Sequence, residues 1–208
     1  MRVLIADDHP VVRRGLRDIV ASEHDMVVVG EAKSGDEALD MARRLEWDIA
    51  VFDYAMPGCS GVDLVREVKR QYPGRPILVL SILPEEVHAG QVLKAGGAGF
   101  INKETANEDL TSAIRKVAAG GRYVSAAFAE KLATDFAEGG EKPPHSLLSD
   151  REYRVMWLIA SGKHINEIAA EMFLSPSTIS TYRARILKKL GLSNNAELVR
   201  YAVKHRLI

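Results

Sequence analysis

Two alternating rhythms of apolar positions run through residues 1–120 of this chain. Short runs rich in Val, Ile and Leu occur at 2–6, 26–30, 49–52, 77–80 and 99–101. Most are apolar throughout, the pattern of strands covered on both faces of a parallel sheet. Between them lie segments with helical periodicity near 10–21, 35–45, 61–71, 84–95 and 107–119. Three of these open on Ser/Thr-x-x-Asp/Glu capping signatures: Ser34 with Glu37, Ser60 with Asp63, and Thr105 with Glu108. Five strands alternating with five helices predict a doubly wound α/β domain around a five-stranded parallel sheet. Sheets of this kind place their sites just beyond the carboxyl ends of the strands.

The rhythm then changes. Residues 125–136 repeat Phe128, Leu132 and Phe136 at helical spacing, which predicts one amphipathic connector helix. The stretch EGGEKPPHS follows, and its Gly and Pro pairs mark a linker with a break near 138–146. From Leu147 onward the pattern is helical only. Ser149 and Glu152 form a capping signature ahead of the apolar stripe Val155, Leu158 and Ile159, and Gly162 stops that helix. A short helix around 166–172 turns Ile165, Ile168 and Ala169 inward. Ser175 and Pro176 then start a longer helix that Gly191 ends. A last helix at 194–205 carries Leu198, Val199, Ala202 and Val203, partly core and partly available to a second copy of the chain. The organisation expected is therefore 1–120, a connector at 121–146, and a small all-α four-helix domain at 147–208.

Composition narrows the classes. At 208 residues, 47% hydrophobic and 27% charged, the chain suits two small globular domains. No apolar run approaches the ~20 residues of a membrane-spanning helix. The opening MRVLIADDHP is too short and too acidic for a secretory signal. The single cysteine, Cys59, permits no internal disulfide and fits a reducing cytoplasm. It is read as a small hydrophobe, and His9 as a polar loop residue. The net charge of zero hides an asymmetry. Residues 147–208 carry ten Lys and Arg against five Asp and Glu, and residues 1–146 carry eighteen against twenty-three. An acidic front and a basic back imply different partners.

Chemistry collects at the strand ends. The first strand runs into Asp7 and Asp8, the third ends on Asp53, the fourth on Ser81, and Lys103 follows the fifth closely. Three clustered carboxylates repel unless a cation intervenes. A hard divalent ion such as Mg2+ suits their oxygens and leaves positions for phosphate and water. A carboxylate is also a nucleophile toward phosphorus, Lys103 could neutralise phosphoryl charge, and Ser81 could donate a hydrogen bond. In the back half, Ile179, Ile186 and Leu190 face inward while Ser177, Ser180, Thr181, Ala184, Arg185 and Lys188 point elsewhere. A short helix, a tight turn and a longer polar helix make a helix-turn-helix, whose second helix enters the major groove of DNA. Small polar side chains allow close approach to bases, and Arg183, Arg185, Lys188 and Lys189 can neutralise phosphates.

The segments IADDHP, VFDYAMPGCSG, LVLS and GFINK resemble the receiver domain of bacterial response regulators, over residues 1–120. The run from LSDREYRVMWLIASG to AELVRYAV resembles the four-helix module of the NarL/FixJ (LuxR-type) regulators. The resemblance implies a phosphorylation-controlled transcription regulator of a two-component system. Asp53 would be the phosphoacceptor. Asp7, Asp8, Asp53 and the Ala55 carbonyl would hold Mg2+. Ser81 and Lys103 would contact the phosphoryl group, and Phe100 would be the aromatic that rotates on activation. Ser180, Thr181 and Ala184 would face bases, with Tyr182, Arg185 and Lys188 on the backbone. The implied partners are a sensor histidine kinase and promoter DNA, with RNA polymerase a further candidate and a homodimer the expected phosphorylated form. No turnover is expected beyond the receiver's own phosphorylation and dephosphorylation. The alternatives are a regulator controlled by protein contacts alone and a phosphotransfer enzyme using Asp53. Departures from the family pattern are Ser for the commoner Thr at 81, bulky Ile82, Ser180 where relatives carry a basic residue, and apolar Ala55 and Leu83. The last two cannot position an attacking water, so a long-lived phosphoryl group is expected.

Overall fold

A computed structural model describes residues 1–59, 61–103, 105–138, 143–205 and 207–208, with the backbone alone described at 86, 87, 107, 135–138 and 150. The chain forms two compact units, Met1–Glu138 and Gly139–Ile208.

In the first unit, strands β1 (Arg2–Ala6), β2 (Val27–Ala32), β3 (Ile49–Asp53), β4 (Ile77–Ser81) and β5 (Gly99–Asn102) alternate with helices α1 (Pro10–Ala21), α2 (Gly35–Arg44), α3 (Gly61–Gln71), α4 (Glu85–Lys94) and α5 (Ala106–Ala118). The sheet order is β2-β1-β3-β4-β5, and every neighbouring pair is parallel. Residues of β3 and β4 are buried throughout, which is why their sequences are apolar without alternation. One face of the sheet packs Ile5, Val51 and Leu80 against Leu16 and Val20 of α1 and Leu110 and Ile114 of α5. The register sets Ala6 beside Phe52, Asp53 beside Leu80, and Ser81 beside Asn102, so the polar strand ends share one edge.

Local capping follows the sequence in part. Ser34 accepts the Glu37 amide at 3.2 Å, while the Glu37 carboxylate reaches the Lys33 amide at 2.8 Å. Ser60 lies outside the described residues. The cap expected at Thr105 does not form. Its backbone is αR rather than extended, and its hydroxyl donates back to the Asn102 carbonyl at 3.3 Å. Beyond α5 the chain returns along β5: Phe100 N–H donates to Tyr123 O at 2.9 Å and Tyr123 N–H to Ala98 O at 3.0 Å. The approach is so close that a Cβ on Gly99 would lie 2.5 Å from the Tyr123 carbonyl oxygen. Helix α6 (Ala126–Glu138) follows. Phe128 is buried as its periodicity predicts, Leu132 is 39% exposed, and the Phe136 side chain lies outside the described residues.

The second unit opens with a 3-10 turn, Pro144–Leu147, and then α7 (Asp150–Ala160), α8 (Ile165–Glu171), α9 (Pro176–Leu190) and α10 (Asn195–Lys204). The capping box at Ser149 and Glu152 forms in both directions, Ser175 caps α9, and Gly191 is left-handed at its end. Val155, Leu158, Ile168, Ile179, Ile186 and Leu198 are buried as expected, and Leu187 joins them.

Phe173 stands out in the turn between α8 and α9. It is 80% exposed and has φ 54°, a left-handed conformation that costs a bulky L-residue strain. Leu174 N–H donates to Ala169 O at 2.9 Å, the helix-ending bond that normally accompanies glycine at this place. Phe173→Gly is therefore expected to stabilise this unit by about 1 kcal/mol, read as a higher midpoint for its unfolding transition. A lowered midpoint would mean that Phe173 makes a contact worth more than the strain.

Candidate functional site

The edge formed by the carboxyl ends of β1 and β3 holds a compact charge cluster. Asp7 is wholly buried and Asp53 is 4% exposed. Lys103, just past β5, bridges them, its Nζ 2.7 Å from Asp7 Oδ2 and 2.9 Å from Asp53 Oδ2. The other Asp7 oxygen accepts the His9 amide at 2.8 Å, and Asp53 Oδ1 accepts the Ala55 amide at 3.3 Å. Burial pushes the Asp53 carboxyl up to about 6; the Lys103 charge opposes the rise and the Asp7 charge adds to it. Burial works against the Lys103 ammonium too, but Asp53 and Asp7 together hold it above the ordinary lysine range. Lys103 is thus a fixed positive charge between two crowded acids.

Asp8 completes the cluster. Ligand-capable atoms of Asp7, Asp8, His9 and Asp53 all lie within 4.8 Å of one another. Buried Asp8 Oδ1 makes no hydrogen bond among the described residues, although His9 Nδ1 stands 2.8 Å away. A buried carboxylate oxygen without a donor, beside two more carboxylates, is a donor set that fits a hard divalent cation. Ser81 is buried at the end of β4, one position past the partner of Asp53, and its hydroxyl accepts the Leu83 amide at 3.0 Å.

Phe100, in β5, is buried, only 1% exposed. Tyr54 meets it edge-on with ring centroids 6.4 Å apart. Tyr54 is itself buried, and its hydroxyl lies 2.9 Å from His88 Nδ1 of α4. Neither Tyr54 nor His88 was singled out from sequence. The only signal was a polar aromatic directly after Asp53, and its partner lies 34 residues away.

The second unit separates its basic residues. Ser180, Thr181, Ala184, Arg185 and Lys188 are exposed on α9, and Tyr182 is half-buried. Ser180 and Thr181 donate their hydroxyls to Pro176 O at 2.9 Å and Ser177 O at 3.0 Å, leaving acceptor lone pairs outward. A surface cavity of about 310 Å³ is lined by Ser177, Thr178, Thr181, Tyr182 and Arg185. Two of the four basic residues expected to meet phosphates have other partners. Arg183 Nε donates to Asn195 Oδ1 at 2.6 Å. Lys189 Nζ is 2.6 Å from Glu152 Oε2 and also donates to Leu147 O at 3.1 Å.

Glu152 is a buried carboxylate with charge-assisted bonds. Burial raises its pKa, but Lys189 and the Ser149 amide and hydroxyl outweigh that and hold it below the ordinary glutamate range. A carboxyl depressed in the folded state adds stability above its unfolded pKa and loses that contribution as pH falls through the folded value. Acid titration from neutral pH to below 4 should therefore lower the unfolding midpoint of this unit less steeply in Glu152→Gln than in wild type. Parallel curves would remove Glu152 as a source of the acid sensitivity.

Comparisons with known proteins agree with both units. The family described as response regulator receiver domain matches residues 3–115, and the family described as bacterial regulatory proteins, luxR family, matches residues 146–202. Response regulator GacA of Pseudomonas viridiflava is 36% identical, over 100% of this chain and 98% of that protein. Response regulator UvrY of Escherichia coli K12 is 35% identical, over 100% and 95%. Among solved structures, an RcsB–DNA complex aligns with TM-score 0.60 at 28% identity, over 98% of each chain. RcsB from Salmonella enterica serovar Typhimurium bound to promoter rprA with the phosphomimetic BeF3- aligns with TM-score 0.64 at 29% identity, over 97% of this chain and 98% of that one. The chain belongs to the two-component response regulators. Within them it has the NarL/FixJ organisation, a receiver joined to a LuxR-type helix-turn-helix, and is a phosphorylation-controlled regulator of transcription. Among the described residues no helix is long and apolar enough to cross a membrane.

Proposed function

We propose that Asp53 accepts a phosphoryl group from a sensor histidine kinase and that the modified receiver promotes promoter binding by α9. The observation that carries this is the Lys103 bridge between Asp7 and Asp53, beside Asp8, at the carboxyl edge of a parallel sheet. The Lys103 ammonium, 2.9 Å from Asp53 Oδ2, favours the carboxylate form of Asp53, which is the nucleophile. A carboxylate oxygen attacks phosphorus, the bond from phosphorus to the donor's nitrogen breaks, and the nitrogen leaves with its electron pair. Lys103 moves from the carboxylates to the new phosphoryl oxygens. The Ser81 hydroxyl donates to one of them, and repacking around Phe100 follows. Asp7, Asp8, Asp53 and the Ala55 carbonyl would hold Mg2+, which when bound neutralises the crowded carboxylates and the phosphoryl charge.

The protein turns over no separate substrate in this reading; the receiver acts only on itself. Ser180, Thr181 and Ala184 meet base edges, while Tyr182, Arg185 and Lys188 meet the DNA backbone. Binding as a homodimer on paired half-sites is supported by relatives described as two RcsB dimers bound to two parallel DNAs. The protein acts in the cytoplasm, with a histidine kinase and promoter DNA as its partners and RNA polymerase as a further candidate. The deciding test treats wild-type protein with a small acyl phosphate and Mg2+, then follows intact mass, oligomeric state and DNA affinity at fixed salt. No gain in mass would sink the proposal.

The phosphoryl group should also be slow to leave. Ala55 and the buried Leu83 carry no group that could orient a water, and Ile82, 55% exposed, stands next to Ser81. After removal of the donor, the added mass should decay over minutes or longer. Decay within seconds would mean that some other residue positions the water.

A further inference from the structure

The hydroxyl groups of α9 fix which hydrogen bonds that helix has left to offer. Ser177, Ser180, Thr181 and Ala184 are exposed and lie three or four positions apart, so they share one face. A hydroxyl carries one proton and two lone pairs. Ser180 Oγ is 2.9 Å from Pro176 O, and Thr181 Oγ1 is 3.0 Å from Ser177 O. A carbonyl oxygen has no proton to give, so both hydroxyls spend theirs on the helix backbone. What they turn outward is acceptor capacity alone.

The first turn is different. Ser175 Oγ accepts the Thr178 amide at 3.2 Å and lies 2.8 Å from both Ser177 Oγ and Thr178 Oγ1. Three hydroxyl protons serve two bonds there, which leaves one for an outside acceptor. Ser177 and Thr178 share the surface cavity with Arg185, whose charge suits a phosphate oxygen. Donors therefore gather around the cavity, and acceptors occupy the second turn. From Pro176 to Ala184 the only charged side chain is Arg183, and its Nε is given to Asn195 Oδ1 at 2.6 Å. Ser180 and Thr181 thus present no charged donor to the O6 and N7 of guanine, the atoms that Arg or Lys most often reads.

We propose that Ser180 and Thr181 select amino bases, adenine or cytosine, over keto bases, guanine or thymine, at the positions they touch. This rests on α9 being the helix that enters the groove. In the major groove adenine N6 and cytosine N4 donate, while guanine O6 and thymine O4 accept. An acceptor-only hydroxyl bonds the first pair and sets lone pairs against the second. Turning the hydroxyl to donate to a keto oxygen breaks its bond to the backbone carbonyl, so one bond is exchanged for another without gain.

Selection from a randomised duplex library tests this, with the full chain treated with a small acyl phosphate and Mg2+. Positions whose preference is lost in Ser180→Ala or Thr181→Val should carry adenine or cytosine in wild type. Ser180→Lys brings donors and no acceptor, and should turn the Ser180 position to guanine. In the selected duplex, the base at that position is then replaced by its analogue lacking the exocyclic amino group. Wild-type binding should weaken about tenfold and Ser180→Ala binding by less than about twofold. The salt slope of Ser180→Ala should equal that of wild type, because a hydroxyl releases no counterion. Guanine or thymine at those positions, or an equal loss in wild type and Ser180→Ala, would overturn the selection of amino bases. An enriched motif left intact by Ser180→Ala and Thr181→Val would overturn it too, while α9 kept its place on DNA. A library from which wild type enriches no sequence would reject promoter binding by α9, and this selection with it.

Discussion

Asp53→Asn should leave the chain folded and unable to take up a phosphoryl group from a small acyl phosphate. The carboxamide has the carboxylate's shape without its nucleophilic charge, so labelling should fall by on the order of 1,000-fold or more, the scale on which loss of a nucleophile acts. Stability should move the other way. Asp53 is buried beside Asp7, and removing one negative charge relieves both desolvation and repulsion while Lys103 keeps its 2.7 Å contact with Asp7. The melting temperature without Mg2+ should hold or rise. Lys103→Met makes the contrast. It leaves two buried carboxylates facing each other with their bridging cation gone, and should cost about 3 kcal/mol of receiver stability as well as phosphorylation. Intact-mass labelling and thermal unfolding of the two variants decide the matter. An Asp53→Asn protein labelled like wild type would remove Asp53 from its role, and a Lys103→Met protein as stable as wild type would mean that the bridge contributes nothing.

The second large effect concerns α9, where neighbouring lysines should behave differently. Lys188 and Arg185 are exposed, whereas Lys189 is committed to Glu152 and Leu147. Lys188→Ala and Arg185→Ala should each weaken DNA binding about tenfold at fixed salt and reduce the salt slope by about 0.9 per lost phosphate contact. Lys189→Ala should keep the slope and instead lower the unfolding midpoint of its unit. It strands a carboxylate that is only 4% exposed, at a cost of about 2 kcal/mol. Titrating one promoter fragment at several salt concentrations, beside a denaturant melt of each variant, separates the two lysines. A flattened slope with normal stability in Lys189→Ala would return it to the DNA face.

Features that depend on near neighbours were legible in the chain. The unbroken apolar runs specify strands with both faces covered, and Asp53 and Ser81 end theirs because the apolar pattern stops there. The caps at Ser34, Ser149 and Ser175 are local bonds spanning three residues. Thr105 carries the same signature and fails, because its backbone is drawn into the αR turn that follows Asn102. A capping signature offers bonds; the direction in which the chain leaves the sheet determines whether they form.

By itself, then, the sequence determined the succession of elements, the acids at the strand ends and the polar outer face of α9. Period and capping are set by side chains a few positions apart. The strand-end pattern grouped Lys103 with Asp7, Asp8 and Asp53, but tertiary structure alone decided which of these charges meet. Lys103 reaches Asp7 across 96 positions and Tyr54 reaches His88 across 34, and no local pattern encodes either pair. Lys188 and Lys189 are identical residues in adjacent places. One step around a helix turns the second onto buried Glu152 and leaves the first in solvent, and the phase of α9 against α7 is set by packing that brings together residues 37 positions apart.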